Sequence, residues 1–168
     1  MKWTRSREIL WITILTILGI ACFPVNPLVL TGVIEPAFIL PLFILGWIVW
    51  AIGMVLVMAP FIMFPRRGGV ARGKSFVHTT KLVDTGIYAV VRHPQYLGGI
   101  LALFLANFLL YPHWLFAVLG VPGAAITYFS TGAEEKRLIE RFGDDYREYM
   151  KRVPRMNIIA GIIRLRNK

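Results

Sequence analysis

The densest run of chemically capable side chains is Arg92-His93-Pro94-Gln95-Tyr96. A fixed cation, an imidazole and a phenol come together there, around a proline that a helix start tolerates because its first-turn donors are unpaired anyway. Taken singly, each has an ordinary explanation, with Arg92 as a snorkelling anchor and Tyr96 as an aromatic of the membrane belt. Together they set a cation beside the free amides of a helix N-terminus, which suits an anionic group such as a carboxylate. The second cluster is Glu134-Glu135. Alone it reads as the solvated start of an amphipathic helix, and its meaning depends on whether the fold brings it to the first cluster.

The elements that must position these clusters are membrane helices. The chain has 168 residues, 57% hydrophobic and only 17% charged, and its charges are clustered. Residues 9–34, 36–64 and 94–133 contain no Asp, Glu, Lys or Arg, and a hydrocarbon core of about 30 Å needs about 20 apolar helical residues per crossing. The third run is long enough to cross twice, and Tyr111-Pro112-His113 interrupts it where a tight helical hairpin would turn at the interface. Crossings are therefore expected over 8–24, 38–63, 95–111 and 114–132. The first superficially resembles a secretory signal, but no small-x-small cleavage site follows it, so it is kept as a crossing. The only cysteine, Cys22, lies in that stretch, which excludes an internal disulfide and a clustered cysteine metal site.

With four crossings, all 19 Lys and Arg residues fall on one side, in the N-terminal tail, the 65–93 loop or the segment after 133. The positive-inside rule then makes both termini and that loop cytoplasmic. The net charge of +10 is explained by topology and contact with anionic membrane lipids, and no nucleic-acid partner is expected. The expected fold is all-α: an integral membrane bundle of about four transmembrane helices with C-terminal cytoplasmic amphipathic helices. It divides into an N-terminal transmembrane hairpin, 1–64, and a region of loop, second hairpin and C-terminal helices, 65–168.

Glycines and cations at the start of the 65–93 loop read as a mobile interfacial linker. Its second half, around the Asp84-Thr85-Gly86 turn signature, reads as an ordered segment folded against the membrane domain. Beyond the fourth crossing, Leu138, Ile139 and Phe142 share one helical face, Gly143 caps that helix, and Asp145 with Glu148 resembles a capping box restarting another. Tyr146, Tyr149 and Met150 would form the apolar side of this second helix. The tail, 156–168, mixes isoleucines with arginines as an interfacial helix does.

A hairpin of the third and fourth crossings would deliver Arg92-His93 and Glu134-Glu135 to the same face. A cation on one side and a carboxylate on the other suit a zwitterion that also carries positive charge, a description that S-adenosylmethionine fits. Leu82-Val83-x-x-Gly86-x-Tyr88, Arg92-His93-Pro94-x-Tyr96-x-Gly98, Glu134-Glu135 and Phe142-Gly143-x-x-Tyr146-x-x-Tyr149 with Arg152-Val153-Pro154 occur in that order. This pattern, over about residues 78–155, resembles the isoprenylcysteine carboxyl methyltransferase family and in part the phospholipid methyltransferases. Residues 1–65 match only as generic crossings.

The resemblance implies S-adenosylmethionine as cofactor, held by Thr80, Lys81, Leu82, Val83, Tyr88, His93, Pro94, Gln95, Tyr96 and Glu134. Catalytic roles would fall to Arg92, His93 and Glu135, with no metal. The substrate would be a lipophilic methyl acceptor reaching the site from the inner leaflet. One departure bears on that acceptor: eukaryotic prenylcysteine enzymes carry a substrate-binding arginine about one turn before the glutamate, and Ser130 stands there here. Besides carboxyl methylation, a phospholipid or a small amine or thiol is a possible acceptor. The rivals are an NADPH-dependent reductase of the sterol-reductase type, with a similar Arg-His pair and acidic pair, and a non-enzymatic membrane scaffold.

Overall fold

The computed structural model describes residues 27–69 and 79–167. The expected crossing over 8–24 and most of the expected basic linker lie outside them. The described residues are all helical, without strands: α1 (Pro27–Leu30), α2 (Leu40–Arg67), α3 (Ile87–Val90), α4 (Pro94–Leu110), α5 (Trp114–Phe142), α6 (Asp144–Arg152) and α7 (Ile158–Arg166).

Helices α2 and α5 are long and apolar enough to cross a bilayer, with mean hydropathies of 2.5 and 1.4 over their apolar stretches; α4 is apolar but shorter. Only 17% of each apolar stretch is buried inside the protein. Side chains such as Ile44, Val55, Val121 and Phe129 are therefore turned outward, a surface that water would penalise and lipid tails accept.

Helix α4 packs along α2 on one side and α5 on another. Its approach to α2 is a backbone contact. A Cβ on Gly53 would lie 2.8 Å from the Gly98 carbonyl oxygen and from Ala102, and one on Gly98 would lie 2.5 Å from the Gly53 carbonyl oxygen. Gly46, Gly53 and Pro60, seven residues apart, are all buried and form the seam of α2. Small residues let membrane helices close up in this way, where dispersion replaces the hydrophobic effect as the attraction. Next to this crossing, Ile100–Leu105 is wound as a π-helix, a wider turn that occurs mostly inside α-helices and often near functional sites.

The turn between α4 and α5 forms at Tyr111-Pro112-His113, as the sequence predicts, and His113 caps α5 by accepting the Leu115 amide at Nδ1 (3.3 Å). Two expectations need correction. The fourth hydrophobic run and the first amphipathic helix form one helix, α5, because Ala133–Phe142 contains no residue that would end it. The expected Asp145–Glu148 capping box does not form either. Gly143, at φ 59°, closes α5 and opens α6 by its own backbone, in a region a side chain would strain, while Glu148 pairs with Lys151 (2.6 Å). Acids in the first turn of α6 and cations in its last complement the helix dipole.

Candidate functional site

Segment 79–83 is hung on the end of α2: the amides of Thr80 and Lys81 both donate to the Gly68 carbonyl (2.8 and 3.1 Å), and Arg141 of α5 donates to the Thr79 carbonyl. Residues 92 and 93 are held from the other end of the chain. The Arg92 amide donates to the Pro154 carbonyl (3.0 Å) and the His93 amide to that of Arg155 (3.1 Å). Helix α6 lies beneath, where Tyr146, Tyr149 and Val153 form a buried cluster with Leu82, Leu138 and Phe142 around it. The Tyr149 hydroxyl donates to the Tyr88 carbonyl (2.6 Å), and Tyr88 stacks on Phe64 of α2 at 5.3 Å.

These pieces line one open cleft. Lys81, Leu82, Val83, Tyr88, Arg92, His93, Pro94, Gln95, Tyr96 and Glu134 all line it. Of the residues expected to hold a cofactor, Thr80 alone is absent from the lining, and its hydroxyl donates to the Gly69 carbonyl (2.9 Å). Phe64, Thr79, Leu138, Phe142, Tyr146 and Tyr149 join the walls and were not anticipated as site residues. The two tyrosines stand inside the motif that carried the resemblance, but their spacing is explained equally well by helix packing.

The adjacent glutamates have different surroundings. Glu135 is 3% exposed and lies outside the cleft lining. One of its oxygens meets His93 Nε2 (3.2 Å), Arg92 Nη2 (3.3 Å) and Arg155 Nε (3.1 Å), and the other accepts from Arg155 Nη2. Glu134 points into the cleft, and one of its carboxylate oxygens is buried with no hydrogen-bond partner. Arg92 Nε and Nη1 and the Tyr146 hydroxyl are also buried without partners. Unsatisfied buried charges of both signs are costly, and here they line one cleft.

Electrostatics at the cleft follow from burial. His93 is held below the usual histidine pKa chiefly by desolvation, which the carboxylates of Glu134 and Glu135 only partly oppose. Its imidazole is thus neutral at pH 7, and the bond to Glu135 calls for the tautomer protonated at Nε2. Burial first, then nearby charge, pushes the Tyr88, Tyr146 and Tyr149 phenols up. All three are neutral donors, not bases. Among the described residues there is no cluster of metal ligands.

Arg155 is the partner that sequence reasoning missed. Besides clamping Glu135 it lies 5.5 Å from the centre of the Tyr128 ring and is held above the ordinary arginine pKa, mainly by its bond to Glu135. Its place directly after the Arg152-Val153-Pro154 motif was the available signal.

A helical membrane protein with a polar cleft at the ends of its apolar helices is the class that fold and site define. Residues 41–145 match the model of the family described as phospholipid methyltransferase, and the chain belongs to that family. It is 33% identical over 122 residues to a methanethiol S-methyltransferase of Pseudomonas deceptionensis, covering 70% of this chain and 44% of the relative. It is 40% identical over 67 residues to methanethiol S-methyltransferase 1 of Bradyrhizobium diazoefficiens, covering 40% of this chain and 22% of the relative. A protein-S-isoprenylcysteine O-methyltransferase of Schizosaccharomyces pombe is 35% identical over 100 residues, covering 51% and 39%. The matched segments span less than half the length of each of these relatives. No solved structure matches the chain.

Proposed function

We propose that this protein is a multi-pass membrane methyltransferase that binds S-adenosylmethionine in the cleft above and methylates a nucleophile carried by a lipophilic acceptor. The observation that carries this proposal is the coexistence of unpaired Arg92 donors and an unpaired Glu134 oxygen along one buried wall. An amino-acid group offers a carboxylate to the first and an ammonium to the second. Leu82, Val83, Leu138 and Phe142 supply apolar wall for a heterocycle. The cofactor brings a methyl group activated by a sulfonium centre.

The rest is done by the chain's own residues. Glu135, saturated by His93, Arg92 and Arg155, acts as the anchor that fixes the two residues facing the cleft. Arg92 and Glu134 orient charged groups, so positioning supplies most of the acceleration. A carboxylate acceptor is already nucleophilic and needs no base. A thiol or amine must lose a proton, and His93, neutral through burial, is the available acceptor. The names of the relatives favour sulfur or carboxylate acceptors, and Ser130 in place of a substrate arginine favours an acceptor without a C-terminal carboxylate.

The catalytic region is 65–168, with Phe64 contributed by the preceding helix. Four crossings, cytoplasmic termini and entry of the acceptor from the inner leaflet complete the proposal; the one-sided cations support them. A methyl-transfer assay on the purified protein, comparing alkanethiols, a farnesylcysteine analogue and phosphatidylethanolamine, tests it. Transfer to at least one lipophilic acceptor is expected. Failure with all three, together with thermal stabilisation by NADPH, would favour a reductase instead.

A further inference from the structure

Helix α7 is built the wrong way round for a helix surrounded by water. At about 100° per residue, Ile158, Gly161 and Arg164 fall on one side and Ile159, Ile162, Ile163 and Arg166 on the other. The first side faces the protein. Gly161 is buried so tightly against α3 that a Cβ there would collide with the Val90 carbonyl oxygen, and Arg164 donates to the Ala89 carbonyl. The side turned away is the isoleucine side, with Ile159 72%, Ile163 54% and Ile162 47% exposed.

We propose that this outward face of α7 lies in the headgroup region of an anionic bilayer, and that the contact braces α3 and its Tyr88 against the cleft. A bilayer is the fitting occupant for two reasons. Helices α2 and α5 already carry the chain into lipid, so the apolar face of α7 continues a surface that needs lipid in any case. From residue 149 onward the sequence contains no acidic residue. Lys151, Arg152 and Arg155 pair with acids elsewhere and Arg164 turns to the protein, while Arg166 stands on the isoleucine side and Lys168 follows. An isoleucine face flanked by cations and by no acid is the pattern of helices that rest on anionic membranes.

The bracing follows from the contacts. Helix α3 has only four residues, too few for a stable helix on its own. Its Tyr88 lines the cleft and its carbonyl accepts from Tyr149, while the next carbonyl, of Ala89, accepts from Arg164 of α7 and that of Val90 lies against Gly161. A helix that is itself seated on the membrane is a firmer support than one that frays.

The lipid contact is tested without reference to activity. In the Cys22→Ser background, a fluorescent label is placed at Ile163→Cys, at Phe129→Cys as a lipid-facing control and at Glu148→Cys as a water-facing one. The protein is reconstituted in phosphatidylcholine with phosphatidylglycerol and with spin-labelled lipid as quencher. Quenching at 163 near that at 129 is expected, with weaker quenching in phosphatidylcholine alone. Quenching at 163 no greater than at 148 overturns the proposal, and cross-linking of 163 between two chains would make the face a dimer contact.

The brace rests on the proposed cofactor site and is tested with S-adenosylhomocysteine as probe. Gly161→Leu and the milder pair Ile159→Ser with Ile163→Ser should each weaken its binding about tenfold. Wild-type affinity in both variants overturns the brace. An absence of binding by the wild-type protein would instead count against the cofactor site, leaving the quenching result to decide the lipid contact.

Discussion

Two neighbouring glutamates on one helix have different duties because the helix turns about 100° between them. Glu134→Gln removes a charge that has an unpaired oxygen in the cleft. It should weaken S-adenosylhomocysteine binding by about 1.5–3 kcal/mol, or roughly tenfold to a hundredfold, with the melting temperature almost unchanged. Glu135→Ala should do the reverse first: it strips three partners of their common anion and should destabilise the fold by about 3–5 kcal/mol, as loss of one member of a buried ion pair does. Thermal unfolding in detergent separates the two. Arg155→Lys should recover part of what Arg155→Ala loses, since an ammonium keeps the charge but not the fork that engages both carboxylate oxygens.

His93 gives a pH signature. Its folded pKa lies below the unfolded value because of burial, so the unfolded chain takes up a proton first as pH falls. The neutral buried imidazole contributes its stability in full above about pH 6.5, and the contribution is lost as pH drops from there through the folded pKa. A melting temperature that declines below pH 6.5 in the wild type and declines less in His93→Gln is the expected result. At this scale the sequence was informative about the cleft residues, because Arg92-His93-Pro94 and Glu134-Glu135 are local runs. It was not informative about Arg155, whose partner is 20 residues away and is met only when the segment after α6 folds back over residues 92–93.

Among the elements, the α2–α4 crossing is the joint on which the site depends, because α2 carries Phe64 and ends at Gly68, the anchor of segment 79–83, while α4 begins directly after His93. Gly98→Val would place a branched side chain on the Gly53 carbonyl. A loss of about 1–3 kcal/mol is expected from overpacking, with weaker cofactor binding, whereas Gly99→Val, with open space around its Cβ, should be far milder. Equal effects of the two in a thermal melt would remove the crossing from the account. The hairpin turn at Pro112 and the apolar runs were legible because proline and long apolar periods act locally. Gly143 as the cap of α5 was legible too, whereas the joining of 133–142 to the fourth run and the start of α6 at Gly143 in place of an Asp145–Glu148 box were not. A charge marks where water begins, not where a helix ends, and a positive φ decides the restart of α6 without any side-chain cap.

For the molecule as a whole, the proposed topology sets residue 35 against residue 148 across the membrane. In the Cys22→Ser background, an impermeant thiol reagent applied to intact cells should label Glu35→Cys and spare Glu148→Cys; labelling in the opposite sense would invert the topology. The all-helical class and the family were readable because long apolar runs dominate the chain and its motifs keep their order. The acceptor was not readable, since it depends on which groups meet the cleft from the lipid side, and the relatives themselves act on different nucleophiles.

The central claim is that this cleft holds the amino-acid end of a sulfonium cofactor between Arg92 and Glu134. Isothermal titration of the purified wild-type protein with S-adenosylhomocysteine tests it most directly, beside Glu134→Gln and Arg92→Lys. Saturable one-site binding, weakened in both variants and unaffected by NADPH, is the predicted result; absence of binding by the wild type, or wild-type affinity in both variants, would contradict it.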